Sequence, residues 1–380
     1  MKNFTINNPT VLHFGKGIIN ELPKTIKEYG KNVLLIYGKG SAVRNGYYSE
    51  VINLLKENGF NITEYSGIKP NPVVEDVEKA IKTGIENKID FVLALGGGSV
   101  IDTAKTVAVC IPGNLKPWDV IKGKIVPEKS LPMVIILTLA ATGTEMNPFA
   151  VIQNLETNEK IGFGYPIMFP KHSFINPEYT YSVAEDYTAY GIADIIAHAF
   201  ENFFGNGDSP LADRFSASII KEAMYYAPLV LEEPDNYDYR ANILLQSTCA
   251  LNGITSYGKS VGDWGVHSIG HILSLLYDMP HGATLSVAYP AWFELQKNRI
   301  PDKLSKLAEL IFDNPDIDKF ISELKRFFLS INCPVNLKYV GFDKQEKMKI
   351  LELLKQNKVS GNNYKLSEYD LEQLVELMFE

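Results

Sequence analysis

Residues 91–105 read Phe-Val-Leu-Ala-Leu-Gly-Gly-Gly-Ser-Val-Ile-Asp-Thr-Ala-Lys, and this stretch decides the fold. Phe91–Leu95 is a short, unbroken apolar run, the pattern of a strand covered on both faces. Three glycines follow, which let a backbone come close to a ligand. A helix then begins, and its first free N–H groups carry partial positive charge. Strand, glycine loop and helix in this order form a cradle suited to a pyrophosphate. The spacing is neither G-x-G-x-x-G nor G-x-x-x-x-G-K-[ST], which sets aside those two fingerprints. Taken alone, the stretch also reads as a tight strand-to-helix turn with no ligand.

The same grammar extends to either side. Asn32–Tyr37 (NVLLIY) and Met133–Thr138 (MVIILT) read as further buried strands. Tyr48–Asn58 and Val74–Asn87 carry apolar residues at helical spacing. This alternation predicts an α/β fold with a largely parallel, doubly wound sheet. Two more polar loops fall at strand carboxyl ends, where open α/β sheets bind ligands. One is Tyr37-Gly38-Lys39-Gly40-Ser41; the other runs from Thr138 through Thr142-Gly143-Thr144-Glu145 to Asn147. Three such loops on one edge strengthen the nucleotide reading. The Gly38–Ser41 loop has no carboxylate to accept from a ribose 2′-hydroxyl, whereas Lys39 and Arg44 suit a 2′-phosphate. NADP(H) is therefore favoured over NAD(H); solvated surface charge is the plain alternative for both cations. Pro70-Asn71-Pro72 marks a loop whose backbone amides can meet a ligand.

Beyond about residue 184 the strand signals stop. Ala189–Phe204, Pro210–Tyr226, Tyr239–Leu251, Val266–Tyr277, Leu304–Phe312, Lys319–Leu329 and Ser367–Met378 read as helices, the last opening on a good N-cap serine. We therefore expect a Rossmann-like dinucleotide domain over 1–183 and an all-helical metal-binding and catalytic domain over 184–380.

Four of the six histidines lie in this second half, in two blocks. Asp194 and His198 are four apart on an apolar stretch and share one helix face. His267 and His271 repeat the spacing, and His281 follows a turn marked by Pro280. Imidazoles and a carboxylate so arranged suit one divalent metal. Spacing alone makes His267 and His271 a chelating pair and leaves His281 optional. Glu201, one turn beyond His198, is a rival ligand. Any one of these histidines taken singly reads as a satisfied core residue, and His13 and His172 read as structural or surface residues. Trp264, before the second block, is either a wall of the substrate pocket or core.

Composition bounds the function classes. With 46% hydrophobic and 22% charged residues this is an ordinary globular chain. A net charge of -8 argues against a nucleic-acid partner. Three dispersed cysteines without a C-x-x-C argue against a disulfide framework and fit a reducing cytoplasm. The N-terminal residues have no apolar signal core, and no uncharged apolar run is long enough for a membrane span, so a soluble cytoplasmic protein is expected.

With these motifs in hand, the chain resembles the iron-containing (group III) alcohol dehydrogenases, and within them the NADPH-dependent butanol dehydrogenase/aldehyde reductase branch. The resemblance runs from Thr10-Val-Leu-His-Phe-Gly-Lys-Gly through Pro70-Asn71-Pro72, the glycine loop, Thr138–Glu145, Asp194-x-x-x-His198 and His267-x-x-x-His271-x9-His281 to the C-terminal helix. It implies a dehydroquinate synthase-like architecture and hydride exchange between NADP(H) and a small primary alcohol or aldehyde such as butanol or butanal. It also implies one divalent metal, Fe(II) or Zn(II), and a homodimer. Carried over by position, Asp194, His198, His267 and His281 would bind the metal, and His271 would be a proton-relay residue. Gly97, Gly98 and Ser99 would hold the pyrophosphate, and Gly38, Lys39 and Ser41 the adenosine end. Asn71, Asp102, Thr138, Thr142, Asn147 and Lys160 would line the rest of the cofactor path, with Asp102 counted among the catalytic residues as well. Lys39 interrupts the glycines of the branch's usual loop, and Thr144 stands where many members carry Ser. A glycerol or polyol dehydrogenase on the same scaffold is the sister reading. A metal-dependent hydrolase of a phosphorylated substrate and a non-catalytic nucleotide-binding module are readings from other classes.

Overall fold

A computed structural model describes residues 1–343 and 345–380, with Ser41 described for its backbone alone. The chain folds into two compact units, one of residues 7–183 with 234–248, the other of 1–6, 184–233 and 249–380.

The first unit is built on a six-stranded sheet with the order β1-β8-β5-β4-β2-β3. Its strands are β1 (Val11–Phe14), β2 (Asn32–Gly38), β3 (Asn61–Ile68), β4 (Phe91–Gly96), β5 (Met133–Leu137) and β8 (His172–Ile175). Every pairing is parallel. A separate antiparallel hairpin joins β6 (Phe149–Asn154) to β7 (Glu159–Gly164). Alternate residues of the central strands enter two different cores. Leu34, Ile36, Val92, Ala94 and Ile135 pack on one face beneath helices Val74–Glu86 and Gly98–Cys110. Val33, Leu35, Phe91, Leu93 and Val134 pack on the other beneath helix Tyr47–Glu57. Burial on both faces is why these strands read as unbroken apolar runs.

The order of strands also locates the ligand edge. The chain leaves β2 toward β3 on one side and β4 toward β5 on the other, so β2 and β4 flank the topological switch point. Their carboxyl ends carry Gly38 and Gly96–Gly98, two of the loops marked from sequence.

Lys105 ties this edge together. Fully buried, its Nζ donates to the Thr144 carbonyl and hydroxyl at 2.6 Å each, to Phe149 O at 2.6 Å and to Asn147 Oδ1 at 3.2 Å. Burial pushes its pKa down, opposed by the nearby carboxylates of Asp102 and Glu145. Thr248 Oγ1 donates to buried Glu145 Oε1 at 2.6 Å, and Leu244 enters the sheet core. Helix Tyr237–Leu251 is thereby bound to the sheet unit. That contact, invisible to local pattern, accounts for residues 234–248 grouping with the sheet unit.

The second unit is helical. Its helices include Glu185–Phe203, Pro210–Glu232, Gly265–Tyr277, His281–Gln296, Pro301–Phe312, Ile317–Ser330, Glu346–Gln356 and Glu368–Leu377. Ser367 caps the last, accepting from Asp370 N while the Asp370 carboxylate accepts from Ser367 N, a complete capping box. No helix among the described residues is long and apolar enough to cross a membrane.

Replacing Lys105 with Met would strip the cation from four oxygens and remove the charge that offsets the burial of Asp102. Urea denaturation is expected to show a loss of roughly 3–5 kcal/mol. A loss under about 1 kcal/mol would show that the network carries little weight.

Candidate metal and cofactor sites

Helix Glu185–Phe203 is buried over most of its length, and it carries Asp194 and His198 inward on one face. The second block forms helix Gly265–Tyr277, which presents His267, and His281 is the first residue of helix His281–Gln296. The fold brings them together. One ligand atom each of Asp194, His267 and His281 lies within 4.8 Å of the other two. Nε2 of His267 and Nε2 of His281 both stand 3.8 Å from Asp194 Oδ1. His198 adjoins this group, with Nδ1 3.6 Å from the same oxygen and its ring 4.7 Å from that of His267.

Glycines permit the approach. A Cβ on Gly282 would stand 1.9 Å from Tyr190 O, so the helix that starts at His281 meets the Asp194 helix backbone-on. A Cβ on Gly270 would stand 2.6 Å from Thr284 Oγ1, so the His267 helix also packs closely on the side chains of the His281 helix.

The donor set suits a cation. Asp194 Oδ1, His198 Nδ1 and His267 Nε2 are buried and have no hydrogen-bond partner among the described residues. A buried carboxylate without a partner costs several kcal/mol. Spacings of 3.6–3.8 Å are those of ligands sharing one ion at bond lengths of about 2.0–2.2 Å. The electrostatics agree. Burial works against the protonated His267 ring, yet Asp194 and Glu201 outweigh it and hold its pKa up to about 9. Burial pushes His198 down to about 4, against the pull of Asp194. The two rings are thus pushed in opposite directions, and it is at His267 that the carboxylates of Asp194 and Glu201 favour a positive charge.

The surrounding residues sort themselves. His271 is half-buried with its ring 5.3 Å from that of His281, beside the group rather than within it. Trp264 sets its ring edge-on to His267 at 5.1 Å and tilted to His198 at 6.1 Å, so it walls the ligands. Glu201 is not gathered with the ligand atoms; its carboxylate accepts from His267 Nδ1 at 2.8 Å, on the ring's far side. His13 and His172 hydrogen-bond to each other at 3.0 Å in the sheet unit, and the metal group does not include them.

In the sheet unit, Gly97 caps helix Gly98–Cys110 in extended conformation. A Cβ on Gly98 would stand 2.9 Å from the Thr142 side chain, and one on Gly97 3.2 Å from Leu139 Cβ, so the glycine loop and the Thr138–Asn147 loop are in contact. Ser99 and Thr138 are half-buried at these loops. Lys160 Nζ donates to Asn71 Oδ1 at 2.7 Å, and Lys160 lies near enough to lower the pKa of Asp102. Asn71 holds a left-handed φ of 55°, which Asn tolerates between its two prolines. The Arg44 guanidinium lies over Gly40, whose Cβ would stand 3.3 Å from Nη1, while Lys39 is exposed. The side chain of Ser41 lies outside the described residues. Glu64 on β3 accepts from the Tyr37 and Tyr48 hydroxyls at 2.9 Å each.

Two expected cofactor residues also make hydrogen bonds within the protein. Asp102 accepts from Thr144 Oγ1 at 2.8 Å and from Val151 N at 2.9 Å. Asn147 accepts from Lys105 and Phe149 N and donates to Gly143 O. Both act as supports of the loop. Lys105 and Glu145, the hub of that support, were not singled out from sequence; their only signal was charge inside an apolar helix and a polar loop.

Comparison with known proteins agrees with this arrangement. The model of the iron-containing alcohol dehydrogenase family matches residues 9–177, and that of the Fe-containing alcohol dehydrogenase family C-terminal region matches residues 188–379. A probable NADH-dependent butanol dehydrogenase 1 of Bacillus subtilis (strain 168) is 40% identical over 346 residues, covering 89% of each chain. The NADPH-dependent aldehyde reductase YqhD of Escherichia coli (strain K12) is 33% identical over 380 residues, covering 97% of each. A crystal structure of NADH-dependent butanol dehydrogenase A from Thermotoga maritima superposes with a TM-score of 0.97 at 35% identity, over 100% of this chain and 99% of that one. Matched along nearly its whole length, the chain belongs to the iron-containing alcohol dehydrogenase family.

Proposed function

We propose that this protein is a metal-dependent alcohol dehydrogenase/aldehyde reductase that exchanges a hydride between NADP(H) and a small primary alcohol or aldehyde of the butanol/butanal kind. The observation that carries the reading is the convergence of His198, His267 and His281 on one Asp194 carboxylate oxygen that has no hydrogen-bond partner among the described residues. Relatives named as butanol dehydrogenases and an aldehyde reductase favour an alkyl substrate over a polyol. The family match likewise displaces the hydrolase and binding-module readings.

Asp194, His198, His267 and His281 would hold Fe(II) or Zn(II), both suited to histidine and carboxylate donors. Such an ion supplies Lewis acidity toward an alcohol or carbonyl oxygen. A nicotinamide supplies or accepts the hydride, and the protein's part is to bind and orient it. The N–H groups at Gly98 and Ser99 would accept the pyrophosphate, with Gly97 and Gly98 keeping the approach open. Thr138, Thr142 and the Asn71–Lys160 pair would line the path beyond, and Gly38, Lys39 and Ser41 the adenosine end. His271, beside His281, would pass the proton between the reacting oxygen and solvent. Trp264 would exclude water from the ligand face. Cys110 and Cys333 are buried thiols, which suits the cytoplasmic location we propose, together with a homodimeric assembly.

NADP(H) is the favoured cofactor because the loop at the end of β2 offers Lys39 and Arg44, while the neighbouring carboxylate of Glu64 is engaged by two tyrosines. The relatives' names divide between NADH and NADPH.

Three measurements test these assignments. Butanal reduction should vanish on chelation and return with Fe(II) or Zn(II), and Asp194→Ala should weaken metal binding by more than about a hundredfold; full metal affinity in that variant would sink the site. Gly282→Ala must push the His281 helix away from Tyr190, so metal affinity should fall about tenfold, with stability lower by roughly 1–3 kcal/mol. Unchanged affinity would show that the close approach does not place His281. For the cofactor, kcat/KM should be higher with NADPH than with NADH, and Lys39→Ala should narrow the ratio. A preference for NADH in the unaltered enzyme overturns the assignment.

A further inference from the structure

Glu201 lies on the face of helix Glu185–Phe203 that carries Asp194 and His198, at i+7 and i+3 from them, and is almost fully buried. Its Oε1 accepts from His267 Nδ1 at 2.8 Å and from the His267 backbone N–H at 3.2 Å. Its Oε2 accepts from the backbone N–H of Trp264. Those backbone donors belong to the start of helix Gly265–Tyr277, whose own N-cap residue provides no side-chain cap. That residue is Trp264, held at a left-handed φ of 59°, an uncommon conformation for a bulky side chain. One carboxylate from the first ligand helix therefore caps the second and holds its entry turn.

The same bond decides which nitrogen of His267 faces Asp194. A carboxylate accepts and does not donate, so when the ring carries a single proton, as a metal ligand must, that proton sits on Nδ1 and the lone pair on Nε2. Nε2 is the atom that stands 3.8 Å from Asp194 Oδ1 without a hydrogen-bond partner.

We propose that Glu201 is the positioning residue of the metal centre, fixing both the register of the two ligand helices and the His267 tautomer that presents Nε2 to the ion. The inference rests on the metal-dependent reading above. Glu201→Gln is the discriminating variant. An amide still accepts from backbone N–H groups with its oxygen, but it cannot place acceptors toward Trp264 N and His267 Nδ1 at once, so the tautomer is no longer imposed.

The test strips the protein of metal and titrates it with Zn(II) against a competing chelator, with thermal melting of the metal-free forms in parallel. Glu201→Gln should bind Zn(II) about 10–100-fold more weakly than the unaltered protein while melting at a similar temperature. Affinity within about twofold of the unaltered protein in a folded variant overturns the proposal. If the variant does not fold, 15N spectra of histidine-labelled, zinc-loaded unaltered protein decide. Protonated Nδ1 and metal-shifted Nε2 at His267 support the role, and the opposite tautomer removes it. Failure of the unaltered protein to bind Zn(II), or undiminished binding by Asp194→Ala, would instead defeat the metal reading and this inference with it.

Discussion

A carboxylate sits where the helix around it is almost entirely apolar. Asp194 lies between alanines and isoleucines on a helix buried along most of its length, and one of its oxygens has no hydrogen-bond partner among the described residues. Left uncompensated, that charge would cost several kcal/mol. The groups nearest that oxygen are imidazoles, which can answer it either as protonated rings or as donors to a shared cation. Much of the helical unit follows from this constraint. Gly282 lets its helix meet the Asp194 helix backbone-on, Gly270 makes room for the Thr284 side chain, and Trp264 accepts a strained backbone beside His267. Glu201 spends both its oxygens on one turn of the neighbouring helix.

The sheet unit buries charge by the opposite means. Lys105 brings its own cation to a cluster of oxygens and satisfies them from within the protein. Asp102 is held by Thr144 and Val151, and Glu145 by Thr248. The result is a stiff frame beneath the Thr138–Asn147 loop, which leaves the glycine edge above it for a ligand. A charge that the protein neutralises by itself shapes a loop.

Much of this was legible in residue patterns, and each miss has a local cause. The central strands β2, β4 and β5 announced themselves because both faces are buried. The β1 and β3 strands lie at the sheet edges, are partly exposed and carry polar residues, so they gave no apolar run. Helix His281–Gln296 was missed because nearly every residue from 282 to 293 is buried, which erases the amphipathic period, and because Pro290 sits inside it. Pro228 similarly suggested an early end to helix Pro210–Glu232. Helix Tyr237–Leu251 was seen as a helix, but its attachment to the sheet unit depends on Thr248 meeting Glu145, a pairing across 103 positions.

The sequence by itself determined the strand–loop–helix cradle, the helical second half and the pairing of Asp194 with His198, because periodicity and glycine placement act over a few residues. It also supplied the resemblance that places His281 with the ligands, which spacing left optional. Only the tertiary structure decided that Glu201 turns to His267, and that Asp102 and Asn147 bond to the loop around Thr144 and Phe149. Which acceptor a donor meets depends on how distant helices and loops pack, and no local period carries that information.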